Sequence, residues 1–207
     1  MDEVGSSVFS MRLLAERLET STATLYRHVA GKEELMAYLV DHLFAELEIA
    51  YELTDRRPRT WRRAARRASV EFHRALSEHP NLLPLLVSQI PIGPHGLAVR
   101  EGSISMLVRF GFSPRLAARA YTTLAHYVIG FAVQQFAPGA SGDEEAAALG
   151  DYYRQLDPER YPWTLAAAKD LTSVSLQDEF LEGLEFILDG IDHARRRSGK
   201  GFSSSCE

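Results

Sequence analysis

The stretch Ser10 to Lys32, SMRLLAERLETSTATLYRHVAGK, constrains the fold more than any other part of the chain. Leu13, Leu14, Arg17 and Leu18 are spaced three and four apart, the spacing of one helix face, and Leu25 and Val29 repeat it further on. Only Glu19-Thr20-Ser21 separates the two runs, too short a break for anything but a tight corner. Ser21 suits the N-cap of the second helix, because its hydroxyl can accept from the amide of Ala23 or Thr24. That helix, read as Thr22 to Val29, carries Thr22, Thr24, Tyr26, Arg27 and His28 on its open side. Two brief helices, a tight corner and polar groups gathered on the second predict a helix-turn-helix.

The run Thr24 to Leu35, TLYRHVAGKEEL, resembles the recognition helix and following turn of the tetracycline-repressor (TetR) family. LAERL, Leu14 to Leu18, adds to the likeness. The resemblance implies that Tyr26 and His28 touch the DNA backbone, that Lys32 anchors a phosphate and that Arg12 reads a base edge. Ser21, Thr22, Ala23, Thr24 and Arg27 complete the implied DNA-facing set. Two positions depart from the family pattern. Its corner glycine is Glu19 here, and a left-handed conformation at a non-glycine residue costs roughly 1–2 kcal/mol. The family also places a further helix before the pair, whereas Met1 to Phe9 resembles only the tail of that helix and its loop. The first helix is therefore read as truncated or its start as misassigned, which would leave Leu14, Leu18 and Leu25 partly wet.

At 207 residues the chain has room for one medium domain, or for a small one and a larger one. A hydrophobic fraction of 45% is ample for a core. The net charge of -5 argues against nonspecific coating of nucleic acid, yet the field that matters for a specific site is local. Between Ser10 and Lys32 the cations Arg12, Arg17, Arg27 and Lys32 outnumber Glu16 and Glu19. The single cysteine, Cys206, lies in a serine-rich tail, which excludes a disulfide or cysteine-based metal site within one chain. No charged-then-apolar leader and no apolar run of membrane length is present, so a cytoplasmic protein with no membrane partner is expected. His28, His42, His73, His79, His95, His126 and His193 form no HxH or HExxH pair. There is no phosphate-cradling glycine loop and no nucleophile elbow, so neither enzyme activity, metal nor cofactor is expected.

Further along, Gly31 can cap a helix from Lys32 to about Leu53, with Glu33 and Glu34 near its positive end. Leu35, Leu39, Leu43, Leu47 and Tyr51 form its stripe. The charged break Thr54 to Pro58 predicts a domain boundary, giving a DNA-binding unit over 1–53, a larger unit over 54–197 and a flexible tail over 198–207. From Thr60 to about Glu78 a helix turns Trp61, Ala65, Ala68, Phe72, Ala75 and Leu76 to one side. The arginines at 56, 57, 59, 62, 63, 66 and 67 form a basic run across the boundary. It can be extra phosphate contact or a solvated face whose long stems cover apolar surface; the second is preferred, because in the resembled family this helix begins the ligand domain. Pro80 and Pro84 bracket a short leucine-rich helix, and Ile90 to Gly96 reads as loop. Leu97 to Phe110 reads as a helix closed by Gly111. Ser113-Pro114 opens another, to about Phe136, that is apolar nearly all round in its middle. Helices are also expected over about 143–155 and about 176–197, with 157–162 irregular. The expected fold is all-α, a helix-turn-helix followed by a helical bundle.

WRRAA at Trp61, His79-Pro80, GFSP at Gly111 to Pro114 and FLEGLEFILDGI at Phe180 to Ile191 also resemble the ligand-binding and dimerisation domain of the tetracycline-repressor class. The resemblance implies a homodimeric regulator of operator DNA, a repressor responding to a small, largely apolar effector. His73, Tyr121, His126, Tyr127 and Gln134 are candidate effector contacts, since a buried polar group finds its partner in the protein or in a ligand. For His126 a satisfied core or interface role is the simpler alternative. In the last helix Gly183 and Gly190 are two turns apart beside Phe180, Leu184, Ile187 and Ile191, and an interior glycine asks for a close neighbour. With Tyr121 and Val128, this face is the candidate two-fold interface, closing as a four-helix bundle. The other reading is packing within one subunit. A ligand-binding bundle with an impaired DNA-binding head stands as the rival function.

Overall fold

The computed structural model describes residues 10–47, 60–88, 91–136 and 143–200, and those residues are helical with short connections. The segment before Ser10, the expected boundary at Thr54 to Pro58, Tyr51, Arg56, Arg57, Arg59 and Cys206 lie outside them. In chain order the helices are α1 (Met11–Arg17), α2 (Thr22–Tyr26), α3 (Lys32–Glu46), α4 (Trp61–Glu78), α5 (Leu83–Ser88), α6 (Pro94–Arg109), α7 (Pro114–Phe136), α8 (Asp143–Arg154), α9 (Pro162–Ser173) and α10 (Leu176–Lys200). A 3-10 turn, Pro80–Leu82, precedes α5.

Side-chain caps set several of these starts. Ser10 accepts from the Leu13 amide, Ser21 from Thr24, Thr60 from Arg63 and Ser113 from Leu116. The helix α6 begins three residues before the sequence reading placed it, so Pro94, His95 and Gly96 are its first turn and not loop. Proline at the first helical position sacrifices no hydrogen bond, and the Gly96 amide is taken by a side chain from another helix. The helix α9 was not anticipated at all.

One core runs from α3 to α10. Met36, Val40, Leu43 and Phe44 of α3 share it with Trp61, Phe72 and Leu76 of α4, Leu107 of α6 and Leu184 and Leu188 of α10. At its centre lies α7, which buries Ala117, Ala120, Leu124, Val128 and Ala132 and packs on α4, α6, α10 and α5. The small alanines let those neighbours approach closely. The expected 1–53 unit therefore shares its connecting helix with the bundle. The outermost layer is α8 with α9, packed chiefly on each other, where Trp163 is 84% exposed.

Two arginines of the basic run, Arg62 and Arg66 of α4, find partners on α10. Arg62 reaches Glu185 at 2.5 Å and Asp189 at 2.6 Å, and Arg66 reaches Glu185 at 2.9 Å. The hydrogen bond from Arg62 holds the Glu185 carboxyl below its ordinary range. These two cations clamp α4 to α10.

Candidate DNA-reading head and effector cavity

The pair α1 and α2 meets at a turn whose hydrogen bonds can be followed one by one. The Glu19 amide donates to the Glu16 carbonyl and the Thr20 amide to the Ala15 carbonyl, while Glu19 takes φ 50°. That pattern is a Schellman turn with a left-handed C′ residue. The sequence reading placed the corner and its possible strain at this residue. The second helix is shorter than expected. Beyond Tyr26 the His28 amide reaches back only three residues, to Leu25, so Arg27 and His28 form a tightening turn.

Every residue of the expected DNA-facing set except Thr24 is exposed, and Thr24 is half-buried. Tyr26 is 54% exposed, a large ring more than half open to solvent. Ser21 and Thr24 share a hydroxyl hydrogen bond of 2.9 Å, and the Thr24 hydroxyl also accepts from Arg27 at 3.4 Å. Arg12 donates to Glu16 one turn on at 3.1 Å; such an exposed pair is worth little and opens easily to another acceptor. Leu18 is exposed and Leu14 and Leu25 are half-buried, as expected of them. The Ala30 amide donates to Glu34 at the start of α3, the helix that ties the pair to the bundle.

In the bundle a cavity of about 450 Å³ opens between α3, α4, α6 and α7. Phe44 of α3, Leu47 just past its end, Phe72 of α4 and Met106 of α6 give it apolar walls, a volume and lining suited to a small molecule. Beside it, Asp41 of α3 is buried, and its Oδ1 accepts from the Gly96 amide at 2.9 Å. A carboxylate of α3 thus caps α6, where the helix dipole favours it. Gly93 gives it room, since a Cβ there would overlap the Asp41 carboxylate.

Two family models match the chain: that of bacterial regulatory proteins of the tetR family over residues 1–39, and that of the tetracyclin repressor-like C-terminal domain over residues 55–195. The chain belongs to the TetR family. An HTH-type transcriptional regulator of Saccharopolyspora erythraea is 28% identical over 92% of this chain and 79% of its own length. The HTH-type transcriptional repressor DrrR1 of Streptomyces coeruleorubidus is 27% identical over 92% of this chain and 72% of its own. Among solved structures, the TetR-family protein ActR of Streptomyces coelicolor, in complex with actinorhodin, superposes with a TM-score of 0.84 at 28% identity, covering 94% of this chain and 91% of that one. These relatives are transcriptional regulators, and this TetR-family chain is a DNA-binding, effector-responsive regulator.

Of the regulator's five candidate effector contacts, the structure brings Tyr121 and His126 to the cavity and the other three elsewhere. His73 is 4% exposed, stacks on Phe180 at 4.0 Å and donates from Nε2 to Gln135 at 2.9 Å. Burial holds its imidazole below the ordinary range, so it is a neutral core residue. The Tyr127 hydroxyl donates to the Phe180 carbonyl at 2.8 Å, and Gln134 is exposed and does not line the cavity. The sequence reading missed Arg100 and Ser103, both on the wall. The sequence signal is slight: Arg100 stands three residues before Ser103 in a helix that also carries Val99, Met106 and Leu107.

The expected interface needs a similar correction. Val128 of α7 and Phe180, Leu184 and Ile191 of α10 are buried within a single chain, where α10 packs on α4 and α7. Gly183 makes room for the Tyr127 hydroxyl of its own chain. Ile187 packs partly on the same core, and Tyr121 is at the cavity. Only Gly190 looks outward with open space around it, and 68%-exposed Phe186, which the sequence reading left out, stands nearby.

Proposed function

We propose that the chain is a homodimeric cytoplasmic repressor that holds a near-palindromic operator and releases it when a small, largely apolar effector occupies the α3–α4–α6–α7 cavity. One observation carries this reading: Phe44, on the cavity wall, belongs to the helix that a short turn joins to α2, and Leu47, also on the wall, directly follows that helix. An occupant of the cavity therefore touches the same rod that orients the reading head. The Asp41–Gly96 bond couples that rod to α6, a second cavity wall. Release follows only if the effector prefers the arrangement that misplaces the two heads. The actinorhodin complex of ActR supports a small-molecule site in a fold of this kind. The outward faces of α7 and α10, around Gly130, Phe186 and Gly190, are the surface proposed for the two-fold contact.

In each head α2 enters a major groove, with Arg12 toward a base edge, Tyr26, His28 and Lys32 toward the backbone, and Ser21, Thr22, Ala23, Thr24 and Arg27 completing the DNA-facing set. Fluorescence anisotropy with duplexes tiled across the DNA flanking its own gene tests this. One near-palindromic duplex is expected to be held. Tyr26→Ala or Lys32→Ala should weaken binding across sequences and flatten its salt dependence. Arg12→Ala should relax preference at one base pair, by about 1–3 kcal/mol. Retention of no duplex, or binding unchanged in all three variants, would overturn the assignment.

A further inference from the structure

The wall of the cavity is apolar on most of its area, and among the described residues Arg100 of α6 is the one arginine, lysine or carboxylate on it. Its Nη2 donates to the Pro91 carbonyl at 3.1 Å, and among the described residues no carboxylate pairs with it. Four other arginines of the bundle do meet a carboxylate. Arg62, Arg66, Arg74 and Arg195 each meet an aspartate or glutamate of the same chain. A guanidinium carries five N–H donors in a rigid fork, so one bond to a carbonyl leaves most of the fork for whatever fills the cavity. Ser103, one turn further along α6 and on the same wall, donates its hydroxyl to the Val99 carbonyl at 2.7 Å, and its oxygen can still accept.

Filling the cavity expels the water around this cation. A wholly apolar occupant would leave the charge against hydrocarbon, which is costly. An occupant with an anionic oxygen pair turns the same displacement into a charge-assisted, two-pronged hydrogen bond. We propose that the effector is an apolar molecule bearing an acidic group, a carboxylate, sulfonate or phenolate, and that Arg100 selects it. The proposal rests on the cavity being the effector site.

Two dyes of one skeleton separate the ideas: anilinonaphthalene sulfonate, which is anionic, and phenylnaphthylamine, which lacks the sulfonate. Fluorescence titration of the full chain should find the sulfonate bound more tightly than the neutral dye. Arg100→Met, which keeps the stem, should weaken the sulfonate roughly tenfold to a hundredfold and leave the neutral dye unchanged. Arg100→Lys, which keeps the charge, should recover part of the loss. Ala125→Trp, which fills the cavity from α7, should block both dyes, with circular dichroism confirming that each variant is helical. If both dyes are blocked by Ala125→Trp but the sulfonate has no advantage, or Arg100→Met does not reduce it, the anion anchor is wrong and the cavity reading stands. If neither dye binds, or Ala125→Trp blocks neither, the cavity reading falls and the proposal falls with it.

Discussion

The helices α1 and α6 end in the same turn, one in the reading head and one in the bundle, and they close it with different residues. At the end of α6, Gly111 takes φ 85°, its amide donates to Val108, and the Phe112 amide donates to Leu107. At the end of α1 the equivalent position is Glu19, with φ 50°. Glycine enters this region without strain, whereas a residue with a Cβ does so at roughly 1–2 kcal/mol. The hydrophobic contact that accompanies the turn differs too. Phe112 and Leu107 are both buried beside Trp61, with the Trp61 and Phe112 rings 5.1 Å apart edge to face. In the head, Thr20 is half-buried and only Met11 and Ala15 of the described residues of α1 and α2 are buried. The bundle is held by burial, the head by caps and local hydrogen bonds. A strained residue in the weaker region suggests a head whose stability is set low by its own backbone.

The comparison can be broken from either side. The largest effect is expected from Phe180→Ala, which removes the ring stacked between His73 and Tyr127 and should cost about 3–5 kcal/mol, read as a shift of the whole urea transition. A loss confined to one helix would mean that the aromatic cluster is peripheral. Next come the two turns. Gly111→Ala should destabilise by about 1–2 kcal/mol through the backbone alone, because a Cβ there meets nothing, and Glu19→Gly should stabilise by up to about that amount. A destabilising Glu19→Gly would show that the glutamate makes up for its conformation. Ser21→Ala should cost about 1 kcal/mol, felt as faster amide exchange in the head while the bundle's protection is unchanged. Equal protection of head and bundle in the unmodified protein would erase the contrast itself.

The smallest effect expected is one of pH. Burial of His73 lowers its proton affinity from the ordinary value of 6.5, against an opposing hydrogen bond to Gln135. As pH falls through 6.5 the unfolded chain takes up this proton before the folded one does. The stability the neutral ring contributes is therefore present above that pH and lost below it. Stability followed by urea unfolding between neutral and mildly acid pH should fall, and His73→Phe should flatten the slope. An unaltered slope would place the proton elsewhere.

Helix boundaries were legible wherever a cap or a stop is written locally: Ser21, Gly111 and Ser113 each do what their side chains, or the lack of one, predict. The helix α9 escaped because no buried stripe marks PWTLAAAKDLTS; its apolar residues face water or α8. The cavity was harder for a different reason. A polar side chain on a buried helix face has the same spacing whether its partner is a ligand or another helix. His73 and Tyr127 found theirs in Gln135 and the Phe180 carbonyl, partners 62 and 53 residues away that no local pattern reveals. The stripe of α10 was similarly ambiguous, for a two-fold axis and a neighbouring helix ask for the same residues. Within one chain, Phe180, Leu184 and Ile191 are buried against its own α4 and α7.

The contact between Asp41 and the turn before α6 also constrains what the chain's descendants can become. An aspartate at 41 occupies the volume that any side chain at 93 would need, while its Oδ1 caps the amide of Gly96. Neither position can drift alone. A larger residue at 93 is forbidden while the carboxylate remains, and losing the carboxylate strips α6 of its cap before anything at 93 can replace it. Positions 41 and 93 should therefore vary together or not at all among related chains, and an alignment deep enough to see both would read as inheritance what the structure presents as a collision.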